Sequence, residues 1–130
     1  MDATYLDSSA IVKLAVREPE TDALRRYLRR RRTLVTSALA RTEVLRALLP
    51  GGQAAVDSGR QALARIDLIR VNEQVLNGAG VLLPIELRSL DAIHLATAGR
   101  VGRDLGELVT YDEKMALAAR AAGYRVTSPT

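Results

Sequence analysis

Short β-prone runs alternate along the whole chain with longer segments whose apolar residues recur at helical spacing. The short runs predict strands at residues 4–6, 34–36, 66–71, 108–110 and 125–127. The longer segments predict a first helix after residues 8 and 9 and further helices at 21–32, 37–49, 53–65, 73–83, 90–100 and 113–122. This alternation is typical of an α/β fold with a mainly parallel sheet flanked by helices on both faces.

Local signals mark several of the predicted helix ends. Ser89 is a good N-cap for the helix at 90–100, and Asp112 has the same position before the last helix. Gly123 is expected to end that last helix in the left-handed conformation.

A chain of 130 residues has the length of one domain, which we expect to span residues 1–130. Hydrophobic residues make up 48% of the chain, which is sufficient for a packed core built without Phe or Trp. Cysteine is absent, which excludes disulfides and thiolate metal sites. The N-terminus lacks a basic segment before an apolar run, so we expect no signal peptide and a soluble cytoplasmic protein.

The chain is basic, and its cations are almost all arginine. The formal net charge is +4, and every cationic residue except Lys13 and Lys114 is Arg. Arginine binds phosphate through a fixed fork of donors and stacks on bases, which favours a nucleic-acid or acidic partner. A solvated, Arg-rich surface explains the same composition equally well.

Four acidic residues stand at strand ends and in helices, where the polar side chains of an open parallel sheet gather. They are Asp7, Glu43, Asp91 and Asp112. Simple structural explanations exist for three of them: Asp112 can cap a helix, Asp91 can complement a helix dipole, and Glu43 can be a solvated helix charge. Asp7 is different because it ends an apolar strand, where an unpaired carboxylate is costly.

If these carboxylates converge, their mutual repulsion requires a hard cation. Mg²⁺ and Mn²⁺ take oxygen ligands, and Mg²⁺ binds through a few carboxylates together with water and substrate phosphate. A metal in such a site activates water and stabilises charge on a phosphoryl group. The predicted reaction is therefore hydrolysis of a phosphodiester bond.

Missing residue types narrow the chemistry further. His94 is the only histidine, which excludes RNA cleavage by a histidine pair and a zinc site built from several His or Cys. The residues after Asp7 lack the second Asp of a phosphatase with an aspartyl nucleophile. The chain also has no phosphate-binding loop of the Gly-x-x-x-x-Gly-Lys type.

Four segments stand in order along nearly the whole chain: DSSAIVKL at 7–14, TEV at 42–44, SLDAIHLATA at 89–98 and VTYD at 109–112. Together they resemble VapC-type PIN-domain toxins. Glu18 and Pro19 follow the first segment as they do in that family, and MALAA at 115–119 follows the fourth.

The resemblance implies a PIN fold, a small parallel sheet between layers of helices. It implies a site for one or two Mg²⁺ or Mn²⁺ ions formed by Asp7, Glu43, Asp91 and Asp112. Asp7 and Asp91 would be direct ligands, and the other two acids would complete the pocket directly or through water. Ser9 and Thr110 would be hydroxyl partners of the carboxylates or of the substrate. The resemblance further implies endonucleolytic RNA cleavage, a cognate VapB-type antitoxin and a homodimer.

Other interpretations stay open. A PIN-like domain without activity could act by binding its antitoxin or RNA, and a receiver-type phosphoacceptor domain has a similar length and layer order. His94, one helical turn beyond Asp91, is either a buried, hydrogen-bonded histidine or a partner of the acidic residues. The basic stretch at residues 25–32 is a solvated helix face, a contact for RNA phosphates, or a contact for an acidic part of the antitoxin.

Overall fold

The computed structural model describes residues 2–130, in which strands and helices alternate as predicted. The predicted domain at 1–130 includes Met1, which lies outside the described residues. The strands are β1 (Ala3–Leu6), β2 (Thr33–Ser37), β3 (Asp67–Ile69), β4 (Leu105–Val109) and β5 (Val126–Thr127). The helices are α1 (Ser8–Ala15), α2 (Thr21–Leu28), α3 (Ala40–Leu48), α4 (Gln53–Leu63), α5 (Glu73–Gly80), α6 (Ser89–Val101) and α7 (Glu113–Ala121). None of these helices combines the length and apolar character that a membrane crossing requires.

The five strands form one sheet in the order β3-β2-β1-β4-β5, and every pairing is parallel. All strands therefore end at one side of the sheet, here called the carboxyl edge, and begin at the opposite side, the amino edge. The chain winds outwards from β1 in both directions. In such a sheet, ligands bind beyond the carboxyl edge where the winding changes direction, which is here between β1 and β4.

The sheet separates two apolar clusters, because successive side chains of a strand point to opposite faces. On one face, Leu6 belongs to a cluster with Ile11 of α1 and Leu24 of α2. On the other face, Tyr5 belongs to a cluster with Leu95 of α6 and Met115 of α7. The predicted α/β class, with helices on both faces of a parallel sheet, is confirmed.

Several predicted helix ends are wrong by a few residues. Ser37 is the last residue of β2 and does not start a helix, because its Oγ accepts the N–H of Leu39 at 3.1 Å in a local turn before α3. The helix predicted at 21–32 ends at Leu28. The N-cap of α6 is Arg88, so Ser89 is the first helical residue and makes no capping hydrogen bond.

Two glycines should respond to alanine substitution in opposite ways. Gly123 follows α7 with φ of +94°, the predicted left-handed helix stop, whereas Gly78 lies inside α5. A Cβ at either position meets no atom within 4 Å, so backbone conformation alone decides the effect. In urea denaturation, we expect Gly123→Ala to lower the free energy of unfolding by about 1 kcal/mol and Gly78→Ala to raise it by up to about 1 kcal/mol. Changes of the same sign would contradict this account.

Candidate active site

Asp7 follows β1 directly, and only 5% of its surface is exposed. Its carboxylate accepts hydrogen bonds from Ser9 Oγ at 2.6 Å, from Thr110 Oγ1 at 2.5 Å and from the backbone N–H of Ala10 at 3.1 Å. No cationic side chain among residues 2–130 forms an ion pair with it. Burial raises the pKa of Asp7, and the hydrogen bonds offset this only in part. Asp7 therefore combines burial with an uncompensated negative charge when it is ionised.

The two hydroxyls beside Asp7 also hold the segment after β4. Ser9 Oγ accepts the N–H of Tyr111 at 2.9 Å, and Thr110 Oγ1 accepts the N–H of Asp112 at 3.1 Å. Each hydroxyl thus donates to the carboxylate and accepts from the backbone. The start of α1 and the loop before α7 are joined through these two side chains.

Glu43 projects from α3 towards the start of α1. Its Oε1 accepts a hydrogen bond from Ser8 Oγ at 2.5 Å and is bonded to His94 Nε2 at 2.6 Å. Burial alone would raise the pKa of Glu43, but the hydrogen bonds from His94 and Ser8 lower it overall. Glu43 is therefore an anchored, ionised carboxylate, and its Oε2 makes no hydrogen bond with residues 2–130.

Asp91 and Asp112 share one counter-ion, Arg88. Arg88 Nε lies 3.4 Å from Asp91 Oδ2, and its Nη2 lies 3.0 Å from Asp112 Oδ2. Asp112 also caps α7, as predicted, because its Oδ1 accepts the N–H groups of Lys114 and Met115. Burial and the charge of Asp112 raise the pKa of Asp91, and Arg88 offsets them only in part.

Hydrogen bonds and ion pairs link the four predicted acids at the carboxyl edge. Thr110 connects Asp7 to the backbone of Asp112, and Arg88 connects Asp112 to Asp91. Glu43 accepts a hydrogen bond from Ser8, the residue that follows Asp7. Across residues 2–130, however, no three carboxylate or imidazole side chains are grouped so that they could hold a metal ion among themselves. A metal here would need water or substrate to complete its ligand shell.

Comparison with known proteins identifies the family. A family model of the PIN domain matches residues 4–121. Ribonuclease VapC46 from Mycobacterium tuberculosis is 65% identical over 130 residues, which cover 100% of each chain. The chain belongs to the VapC-type PIN-domain family. Ribonuclease VapC47 from the same species is 38% identical over 96% of each chain.

Solved structures of low sequence identity share the fold of this PIN domain. The crystal structure of VapC20 from M. tuberculosis, a toxin that cleaves the Sarcin-Ricin loop, matches with a TM-score of 0.77 at 18% identity, covering 97% of this chain and 99% of that one. A toxin–antitoxin complex from Klebsiella pneumoniae matches with a TM-score of 0.72 at 20% identity, covering 98% of each chain.

This PIN domain also contains a buried chain of hydrogen bonds that reaches Glu43 from the core. Tyr5 Oη lies 2.6 Å from His94 Nδ1, with the two rings edge to face at 5.8 Å. Tyr5 Oη accepts the N–H of Ser37 at 3.2 Å, so its own proton is available to His94. Burial raises the pKa of Tyr5, which keeps that proton in place. In the neutral form of His94 the hydrogen is therefore on Nε2, which donates a hydrogen bond to Glu43.

The sequence did not identify two of the residues that hold the acids, nor the carboxylate partner of a third, His94. His94 is buried and hydrogen-bonded, as one interpretation held, but its carboxylate partner is Glu43 of α3, not the nearby Asp91. Nothing local in the sequence indicates that contact. Ser8 and Arg88 were also missed, although Arg88 stands three residues before Asp91, a spacing at which helical side chains meet.

The Tyr5–His94–Glu43 chain predicts the tautomer of His94. Because the protein has one histidine, its ring ¹⁵N signals need no assignment by mutation. We expect the neutral form of the ring to carry its hydrogen on Nε2. Tyr5→Phe should change the tautomer ratio and lower the free energy of unfolding by about 1–3 kcal/mol, because Nδ1 and the Ser37 N–H lose their buried partner. Tyr124→Phe, which removes a hydroxyl elsewhere, is the control. A ring protonated on Nδ1 in the parent protein would contradict the predicted direction.

Proposed function

We propose that this protein is an endoribonuclease toxin that hydrolyses RNA phosphodiester bonds and requires Mg²⁺, which Mn²⁺ can replace. The VapC-type family supports the reaction, through the 65% identity to Ribonuclease VapC46 over the whole chain. The observation that carries the metal requirement is Asp7, a buried carboxylate without a cationic partner among residues 2–130.

The residues present fit a magnesium site. Every candidate ligand is a carboxylate oxygen, the donor that Mg²⁺ prefers. The raised pKa values of Asp7 and Asp91 show that negative charge is under-compensated at two points of the site. Mg²⁺ keeps several waters and needs only one or two carboxylates, so the lack of a three-side-chain cluster in the described residues is compatible with it. We assign Asp7 and Asp91 as direct ligands and Glu43 and Asp112 as ligands through water.

The bound metal would supply Lewis-acid stabilisation of the phosphoryl group and a more acidic water. Around it, Ser9 and Thr110 orient both oxygens of Asp7. Glu43 is held by Ser8 and His94 through Oε1, which leaves Oε2 to accept a proton from the attacking water. Arg88 has an exposed side chain, and its guanidinium can turn from the carboxylates to a substrate phosphate.

The test is Asp7→Asn, with Asp104→Asn as a control for an exposed acid distant from the site. We expect the parent protein and the control to cleave RNA when Mg²⁺ is present and to lose this activity when chelator is added. The Asp7→Asn variant should be inactive under both conditions. Magnesium at roughly ten times its dissociation constant should stabilise the parent by about 1.4 kcal/mol and leave Asp7→Asn unchanged in thermal denaturation. Undiminished cleavage by Asp7→Asn would refute the assigned site. Magnesium binding without cleavage of any RNA would favour the alternative, a silent binding module.

We also propose a cognate VapB-type antitoxin as partner, which the toxin–antitoxin complex of the same fold supports. A groove of about 510 Å³ runs between α1, α2 and α4. Its floor includes Leu14, Leu28 and Ile66, and its rim carries Arg25, Arg29 and Arg65. An apolar floor with a basic rim suits an acidic amphipathic segment.

The proposed homodimer has a candidate interface in four exposed apolar side chains, here called the apolar ridge. They are Val81, Leu83, Ile85 and Leu117, with exposed fractions of 82%, 72%, 87% and 67%. Apolar patches of this kind mark interaction sites. Glu86 and Lys114 line the hollow beside the ridge. Because a twofold interface joins the same patch of two copies, an acid and a base on this patch can pair across the axis.

We expect Ile85→Asp to convert the dimer to a monomer in sedimentation velocity, because a buried, unpaired carboxylate destabilises the interface. Leu49→Asp is the matched control, since Leu49 is 55% exposed and lies outside the ridge. If the parent is monomeric, or if both variants dissociate equally, the ridge is not the dimer interface.

A further inference from the structure

A polar hollow lies at the amino edge, at the opposite end of the sheet from the acidic site. It has a volume of about 500 Å³, and its floor includes Thr4, Thr33 and Gly106 from the beginnings of three strands. Four arginines surround it, Arg30, Arg31, Arg32 and Arg125. We call this feature the arginine hollow.

One of these arginines is held rigidly. Arg31 donates from Nη1 to the carbonyl oxygen of Tyr27 at 2.6 Å and from Nη2 to Glu107 Oε1 at 3.0 Å. Its guanidinium also stacks on the ring of Tyr27, 3.6 Å from the centroid. Glu107 balances most of the charge of Arg31, so this residue shapes the wall of the hollow.

The other three arginines are exposed and have no acid within ion-pair distance among residues 2–130. Arg30 and Arg32 flank the fixed Arg31, and Arg125 reaches the hollow from the segment before β5. Asp2 is the one lining acid besides Glu107 within the described residues. The hollow thus keeps an excess of uncompensated guanidinium groups, which match the oxygens of phosphate.

We propose that the arginine hollow binds backbone phosphates of the RNA substrate away from the cleavage site. This rests on the proposed ribonuclease function. The antitoxin is a poorer match, because no hydrophobic side chain of residues 2–130 lines the hollow to receive an amphipathic segment. The basic stretch at residues 25–32 therefore contributes to two surfaces. Arg25 and Arg29 line the groove between α1, α2 and α4, and Arg30 to Arg32 line the arginine hollow.

The position of the hollow restricts the class of substrate. The strands are up to five residues long, so the amino and carboxyl edges lie roughly 17 Å apart through the sheet. An RNA cannot pass through the sheet and must follow the outside of a domain with a radius of gyration of about 14 Å. A folded or extended RNA can reach both edges, whereas a few nucleotides at the acidic site cannot. The preferred substrate is thus an RNA long enough to place phosphates far from the scissile bond.

The experiment measures binding of bulk transfer RNA to Asp7→Asn protein at several salt concentrations. Into this silenced background we would place Arg30→Ser, Arg32→Ser and Arg125→Ser together. The matched control carries Arg26→Ser, Arg60→Ser and Arg100→Ser, which remove the same charge from exposed positions outside the hollow. Thermal denaturation of both triple variants checks that they are folded.

We expect the triple variant of the arginine hollow to bind transfer RNA about ten-fold more weakly than the Asp7→Asn protein. The slope of log affinity against log salt should become shallower by about 2, because each lost phosphate contact contributes roughly 0.7 to 0.9 to that slope. The control should change less than about three-fold. In the active background, the hollow triple should raise KM and leave kcat unchanged. If both triple variants weaken RNA binding equally, or if the triple variant of the arginine hollow binds RNA as before while the parent cleaves RNA, the proposed role of the arginine hollow is wrong. The ribonuclease proposal would not be affected by either result. If the Asp7→Asn protein binds no RNA and the parent cleaves none, the ribonuclease proposal is overturned as well.

Discussion

The buried carboxylate of Asp7 is the constraint on which the site depends. Its donors come from α1 and from the segment after β4, so satisfying this one group fixes the spacing of both elements where the winding of the sheet changes direction. Ser9 and Thr110 each donate a hydrogen bond to Asp7 and accept one from a backbone N–H group in the segment after β4. Neither side chain can therefore turn away without leaving a buried polar group unpaired. The geometry of the acidic site is therefore set by the same bonds that join the start of α1 to the segment after β4.

The sequence predicts the alternation of elements well because periodicity is a local property, and this fixes the α/β class. It predicts helix ends less well, since a turn such as that of Ser37 and Leu39 competes with the helix over a few residues. It also indicates the four acids by their places in the pattern. It does not indicate that His94 meets Tyr5, 89 positions away, because that contact depends on how α6 packs on the sheet.

The site shows two ways of managing buried negative charge. Glu43 is stabilised as an anion by His94 and Ser8, whose hydrogen bonds outweigh the cost of burial. Asp7 and Asp91 are not fully stabilised, and their pKa values remain raised. In the proposed magnesium site, a bound cation would offset the cost of ionising these two buried carboxylates. Arg88, exposed and bridging Asp91 and Asp112, provides a positive charge that can be displaced without disturbing the core.

Charge is also separated along the strands. The four site acids lie at the carboxyl edge, whereas three arginines that form no ion pair among residues 2–130 lie at the amino edge. Without a bound cation, the carboxyl edge repels the phosphates that it must receive, and attraction to RNA must come from the rest of the surface. The net charge of +4 is consistent with that division. The proposed binding of RNA phosphates at the arginine hollow would add affinity without neutralising the carboxylates of the proposed metal site. Long-range attraction of this kind weakens with salt, whereas the proposed binding of a metal ion at the buried Asp7 would be screened much less.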